Sequence, residues 1–198
     1  KYGTTRQNLA AVRFLTTQGD IVSAGALPSK TSMGFSLNDL IVGSEGRLGI
    51  ILDADIRLTP RAEETALVLG AFASETLAMD FILAMRRGGL RAKCIEIMDE
   101  YSMHLANFNL RGGALLMIEL DGNSVQVGYD LEKLMTLEGA ADWVSARDEK
   151  NRHALWAKRK SISSELKKRF AYKLGEDIAV PLSALASTAA FAREKAAQ

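Results

Sequence analysis

A single cysteine, Cys94, rules out disulfides within the chain and any cluster held by several of its own thiolates. Only two histidines are present, His104 and His153, and no H-x-H or H-x-x-x-H spacing joins them. For each, a surface or packed role is the simpler reading than metal binding or catalysis, and no metal site is expected. No apolar run reaches the length of a membrane-spanning helix, so the expected location is cytoplasmic or at the cytosolic face of a membrane. Charge of neither sign dominates: 25 Lys and Arg stand against 24 Asp and Glu, and a net +1 gives no overall pull toward nucleic acid or anionic lipid. What is present, 47% hydrophobic and 25% charged residues over 198 positions, is the composition of an ordinary globular protein with room for one large domain or two small ones.

Up to about Pro60 the chain reads as strands and turns, and Pro60-Arg61-Ala62-Glu63-Glu64 is a polar break that suggests a boundary. Beyond it the pattern alternates. Ala66 to Phe72 predicts a strand. Ser74 caps a helix with Leu77, Phe81 and Met85 on one face, ending at Gly88-Gly89. Cys94 to Met98 is strand-like, with Asp99 as the next cap, and Ala114 to Leu120 is the clearest buried strand, turning at Asp121-Gly122-Asn123. Ser124 to Glu138 predicts a helix, Trp143-Val144 a strand, Asp148 to Arg169 a long helix, and Ile178-Ala179-Val180 a strand ended by Pro181. The expected fold class is α+β, an antiparallel sheet with helices covering one face. The chain opens at Lys1 rather than Met and stops within an alanine-rich helical pattern from Leu185 to Gln198, so a piece of a longer protein is expected.

Val42-Gly43-Ser44-Glu45-Gly46-Arg47-Leu48-Gly49-Ile50-Ile51 sets three glycines at three-residue spacing and runs into the apolar Ile50-Ile51-Leu52. It is not G-x-G-x-x-G and no helix follows, which excludes a Rossmann site. By itself it is a turn before a strand. Its flanks add Lys1-Tyr2-Gly3-Thr4-Thr5, then Gly19-Asp20, then Lys30 with Gly34 and Leu37. Together these resemble the FAD-linked oxidase family of the vanillyl-alcohol-oxidase type, whose members include D-lactate and D-2-hydroxyglutarate dehydrogenases and the flavin subunit of glycolate oxidase. That family reads roughly K-Y-G-T-T-R, D-G, K-N-x-x-G-Y-D-L, G-S-E-G-T-L-G-I-I-T. Here Thr31, Phe35, Ser36 and Arg47 depart from it.

The resemblance implies the C-terminal part of a PCMH-type FAD-binding domain over 1–60. An α+β cap domain that forms the substrate pocket follows over 61–198, truncated at its C-terminus. It implies FAD as cofactor, approached by Ser44, Glu45, Gly46, Gly49 and Ile50 largely through backbone. The histidine base and any metal ligands are expected outside this chain, so no catalytic residue is assigned. An electron acceptor is required but not specified, and an iron–sulfur partner domain or subunit and a homo-oligomer are compatible with it.

The stretch Lys150–Lys173 holds nine Lys or Arg against one acid, Glu165. On a helix, Leu155, Arg159, Ile162 and Leu166 share one stripe, which places a guanidinium among apolar side chains and calls for an anion beside it. That anion is either a substrate carboxylate or an internal partner: Glu96, Glu119 or Asp177. Ser163 lies one turn later on the same side and Trp156 one turn earlier. Leu155-Trp156-Ala157-Lys158-Arg159 and Asp177-Ile178-Ala179-Val180-Pro181 resemble the family's L-W-x-x-R and D-x-x-x-P elements. The resemblance implies that Arg159, Ser163 and a downstream lysine, Lys173 if the loop length differs, bind a small 2-hydroxy acid. Lys167-Lys168-Arg169 reads as a solvated helix end.

The leading expectation is therefore a fragment of an FAD-dependent oxidoreductase acting on a D-lactate, glycolate or D-2-hydroxyglutarate class substrate, with no nucleic-acid partner. The isolated fragment is expected to be inactive. The alternatives are a catalytically inert cap module and an anion- or nucleic-acid-binding module using the basic helix. The latter is disfavoured by sparse aromatics and near-neutral charge.

Overall fold

The computed structural model describes residues 1–25, 35–173 and 175–196. Lys30, Thr31 and Gly34, which the sequence motif includes, lie outside the described residues. The chain divides into two compact units, Tyr2–Arg61 and Ala62 onward with Lys1.

In the first unit a one-turn helix, α1 (Thr5–Asn8), leads into β1 (Leu9–Leu15), β2 (Ile21–Gly25), the short helix α2 (Leu37–Ile41) and β3 (Ile50–Ile56). β1 is central and antiparallel to both neighbours, in the order β2-β1-β3. The Gly19-Asp20 turn joins β1 to β2, closed by the Thr16 N–H to Asp20 carbonyl bond of 2.8 Å. Leu9, Val12, Phe14, Ala24 and Ile41 form a small core. Strands and turns alone were expected here, but α2 forms because Ser36 caps it, accepting from the Asp39 N–H at 3.3 Å, and because it buries Asn38 and Ile41. All seven residues of β3 are exposed, Ile50, Ile51, Leu52 and Ile56 among them.

The second unit runs β4 (Glu64–Phe72), α3 (Glu75–Arg87), β5 (Cys94–Asp99), α4 (Glu100–Leu105), β6 (Ala114–Gly122), α5 (Ser124–Met135), β7 (Asp142–Ala146) and α6 (Glu149–Arg169). A 3₁₀ turn (Leu182–Ala184) and α7 (Leu185–Ala196) follow. Its strands pair antiparallel in the order β5-β6-β4-β7. β4-α3-β5 and β6-α5-β7 each link two strands of the same direction with one strand between them, the arrangement of two interlocked split βαβ units.

Helices cover both faces of this sheet, not one. From Ala66 to Phe72 and from Ala114 to Asp121 every residue is buried, and alternation sends them to opposite layers. Val68, Phe72, Leu116, Ile118 and Leu120 pack against Phe81, Ile82 and Met85 of α3 and Leu134 of α5. Leu67, Leu69, Leu115 and Met117 pack against Met103 and Leu105 of α4 and Ile162 of α6. An antiparallel strand with one wet face alternates apolar and polar residues, and these two do not, because neither face is wet.

Two local expectations differ from the structure. Leu77 is 46% exposed, since the buried face of α3 runs through Ala78, Phe81, Ile82 and Met85. Ile178-Ala179-Val180 forms no strand. Among the described residues no strand runs beside it to supply a ladder, and Ile178 is exposed.

Candidate functional site

Helix α6 begins firmly. The Asp148 carboxylate accepts the Asn151 backbone N–H at 2.8 Å and its side-chain amide at 2.8 Å, and these bonds hold the carboxyl below the usual aspartate range. From this cap the helix lays Leu155, Trp156, Ile162 and Leu166 on the sheet layer.

Two polar anchors interrupt that apolar contact. Trp156 Nε1 donates to Glu119 Oε2 at 2.6 Å, while Glu119 Oε1 accepts from Lys93 Nζ. Glu119 is buried, in a row across the sheet with Leu67 and Cys94. The bond to Glu119 raises Lys93 above the ordinary lysine range against the effect of burial. Burial, followed by the nearby Glu119 charge, pushes the Cys94 thiol up, so this cysteine is not an activated nucleophile.

One turn along α6, Arg159 donates to Glu96 Oε2 from Nε at 3.1 Å and from Nη2 at 2.8 Å. Glu96 lies in the next row of the same face, with Met117 and Leu69. Of the three carboxylates named as candidate partners, Glu96 pairs with Arg159, Glu119 is taken by Lys93 and Trp156, and Asp177 is exposed. Arg159 is less buried than its stripe implied, its side chain 38% exposed, because it reaches the edge strand β5 rather than the sheet centre.

Ser163, four residues on, is exposed, and its Oγ accepts from Lys173 Nζ at 2.7 Å. Residues i and i+4 share a helix face, so Arg159 and Ser163 occupy adjacent turns with Lys173 closing over the second. The stretch after Phe170 thus returns a lysine to the helix that it has just left.

The residues expected near a cofactor lie in the other unit. Between α2 and β3 the chain turns through positive φ at Gly43 (91°), Glu45 (55°) and Gly46 (78°), tied by the Ser44 N–H to Ile41 carbonyl bond of 3.1 Å and the Arg47 N–H to Ser44 carbonyl bond of 3.0 Å. Arg6 Nη2 donates to the Val42 carbonyl at 2.5 Å, which links the opening motif to this turn. A broad, open concavity of about 420 Å³ is lined by Leu40, Gly43, Ser44, Glu45, Arg47 and Leu48. Ser44 and Glu45 therefore line it, and Gly46 has open space where a side chain would stand. Gly49 is buried against Phe14 and the Leu15 carbonyl, and Ile50 begins β3, 62% exposed. Arg47 and Leu48 are lining residues that the sequence reading did not assign to the site. In the sequence Arg47 stands out only as a departure from the motif, and that departure is the available signal.

His104 and His153 are exposed, each beside the glutamate four residues earlier, Glu100 at 3.8 Å and Glu149 at 3.9 Å. Among the described residues no group of three or more His, Cys, Asp and Glu side chains is placed to hold a metal ion. No helix among them is long and apolar enough to cross a membrane.

Residues 60–198 match the family described as FAD linked oxidases, C-terminal domain. The chain is 27% identical to the mitochondrial D-lactate dehydrogenase [cytochrome] of Arabidopsis thaliana, over 94% of this chain and 34% of that protein. It is 29% identical to glycolate oxidase subunit GlcD of Bacillus subtilis, over 94% of this chain and 42% of that protein. It thus spans less than half the length of these relatives. Alkyldihydroxyacetonephosphate synthase superposes on 85% of this chain and 34% of its own with a TM-score of 0.63 at 17% identity, a likeness of fold. The chain belongs to the FAD linked oxidase family, and carries that family's C-terminal domain from residue 60 to 198.

Proposed function

We propose that this chain is part of an FAD-dependent oxidoreductase that oxidises a small 2-hydroxy acid of the D-lactate, glycolate or D-2-hydroxyglutarate class. The observation that carries the reading is the meeting of Lys173 with Ser163 at 2.7 Å, one turn after Arg159 on the same helix. Two cations and a hydroxyl on one short surface suit a carboxylate. Arg159 offers a planar fork of donors and Lys173 a point charge. Because the Ser163 oxygen accepts from Lys173, its own O–H is free to donate to the substrate.

The turn after α2 fits a flavin dinucleotide at one edge. Its concavity combines apolar walls, Leu40 and Leu48, with a hydroxyl and a guanidinium, Ser44 and Arg47, and its glycines permit close approach to backbone. When bound, FAD supplies the two-electron acceptance by which the alcohol carbon becomes a carbonyl. This chain's residues contribute binding and orientation. His153 lies six residues before Arg159 on α6, about 240° around the helix, so it does not share the Arg159 face. We assign the proton-accepting base to no residue of this chain, and expect the chain by itself to be inactive.

The test is Arg159→Ala in the full-length, flavin-loaded protein, read as flavin bleaching on adding D-lactate, glycolate or D-2-hydroxyglutarate. Flavin content should stay unchanged, and kcat/KM for the active substrate should fall about 10²-fold or more. Unchanged kinetics would remove Arg159 from the substrate site. No bleaching of the unsubstituted protein by any of the three acids would reject the substrate class.

A further inference from the structure

We propose that Glu96 is the positioning residue for Arg159, holding one edge of the guanidinium so that the other edge is presented to the substrate carboxylate. The inference rests on the reading of Arg159 as the carboxylate-binding group.

The geometry is specific about which edge is used. Nε and Nη2 both donate to the single oxygen Oε2 of Glu96, at 3.1 Å and 2.8 Å. These atoms form the side edge of the planar fork. A guanidinium carries five N–H donors in fixed directions, so this contact consumes two of them. The end edge, Nη1 with the second N–H of Nη2, has no hydrogen-bond partner among the described residues. A carboxylate can take that edge through two parallel bonds without displacing Glu96.

Glu96 is well placed to serve as a fixed rest. It sits on β5, whose Cys94–Asp99 span pairs with β6 residue by residue, with Glu96 opposite Met117. The helix carrying Arg159 is fixed on either side of it, by Trp156 on Glu119 three residues before and by the packing of Ile162 and Leu166 on the sheet layer after it. Arginine is flexible about several bonds, and ordering it only when substrate arrives would weaken binding. Glu96 orders it beforehand. The ion pair also cancels one charge, so that Lys173 leaves this group of side chains with a single net positive charge facing the substrate.

The competing arrangement is that Glu96 occupies the place of the substrate carboxylate and must be displaced. The two differ in sign. If Glu96 positions Arg159, its neutral isostere weakens substrate binding, and if Glu96 competes, the isostere strengthens it.

The experiment uses the full-length, flavin-loaded protein and whichever of D-lactate, glycolate or D-2-hydroxyglutarate bleaches its flavin. Glu96→Gln should raise KM about tenfold and leave kcat within about twofold, with flavin content and melting temperature unchanged. In the Arg159→Lys background, which already lacks the fork, Glu96→Gln should change KM by less than about twofold, because both substitutions remove the same element. Glu96→Asp withdraws the carboxylate by one methylene with little demand on folding, and should raise KM in the same direction. A KM that is unchanged or lower in Glu96→Gln or Glu96→Asp overturns the proposal, as does an additive effect in the double variant. Arg159→Ala separates the two readings. If it raises KM while the Glu96 variants do not, only the role of Glu96 falls. If Arg159→Ala itself leaves KM unchanged, the assignment of Arg159 falls first.

Discussion

Glu119 is the residue most at odds with its surroundings, a carboxylate inside the run Ala114-Leu115-Leu116-Met117-Ile118-Glu119-Leu120. It is tolerated because both oxygens are satisfied, one by Lys93 and one by the Trp156 indole. Trp156→Phe removes the indole donor and, phenyl being smaller than indole, part of the ring packing with it. It should cost at least about 2 kcal/mol, the usual worth of a hydrogen bond to a charged group alone, measured as a lower urea midpoint with unchanged slope. A loss below about 0.5 kcal/mol would mean that water replaces the indole without penalty. At this scale the sequence is informative about need and poor about partner. The place of Arg159 in an apolar stripe showed that an anion must be near. Choosing Glu96 over Glu119 required the register of β5 on β6, which spacing along one strand does not contain. Lys173 had the weakest sequence support of the proposed substrate residues, since its reach depends on how the chain turns after Phe170, yet it meets Ser163 directly.

Among the elements, α6 was legible from end to end. The helix expected from Asp148 to Arg169, its apolar stripe and its basic last turn all agree with the helix observed at Glu149–Arg169, in which Asp148 proves to be the cap. Capping and periodicity are local properties, and locality is what a sequence displays. Layering is not local: the long apolar runs of β4 and β6, the second interrupted by Glu119, were visible, but that they meant a sheet covered on both faces emerged only from where α3 and α5, and separately α4 and α6, come to rest. Ile178-Ala179-Val180 failed as a strand for the same reason, because a strand is defined by its neighbour. The Asp148 cap gives α6 a pH dependence of known sign. Its folded carboxyl titrates below the ordinary aspartate range, chiefly through the Asn151 backbone bond. Its contribution is therefore complete above the unfolded aspartate pKa of about 3.9 and is lost as pH falls through the lower folded value. Asp148→Asn preserves a capping acceptor and removes only the charge. The variant should melt below the parent at about pH 6, and the gap should close progressively below about pH 4. A gap independent of pH would show that the charge of Asp148 is not what the cap contributes.

For the whole molecule, the polar break at Pro60-Arg61 falls where the two compact units divide, between Arg61 and Ala62. We propose it as the domain boundary, and the two sides differ in how complete a core they hold. The unit from Ala62 onward closes its four-stranded sheet with helices on both faces, and Leu67, Val68, Phe72, Leu115, Leu116, Met117 and Ile118 are excluded from water. The Tyr2–Arg61 unit relies on Leu9, Val12, Phe14, Ala24 and Ile41, while β3 leaves Ile50, Ile51, Leu52 and Ile56 in solvent. Small domains fold alone only when enough apolar surface is buried to offset chain entropy. Residues 62–198 produced alone should therefore unfold in one cooperative thermal transition and protect the amides of β4 and β6 most strongly from hydrogen exchange. Residues 1–61 alone should show no such transition and should exchange rapidly throughout. A cooperative transition in the shorter piece, or its absence in the longer one, would move the boundary. The burial of β6 was legible in its sequence, but the exposure of β3 was not, since Ile50-Ile51-Leu52 is as apolar as Leu115-Leu116-Met117. Hydrophobicity marks a strand that seeks cover, and only the surrounding chain determines whether it has found it.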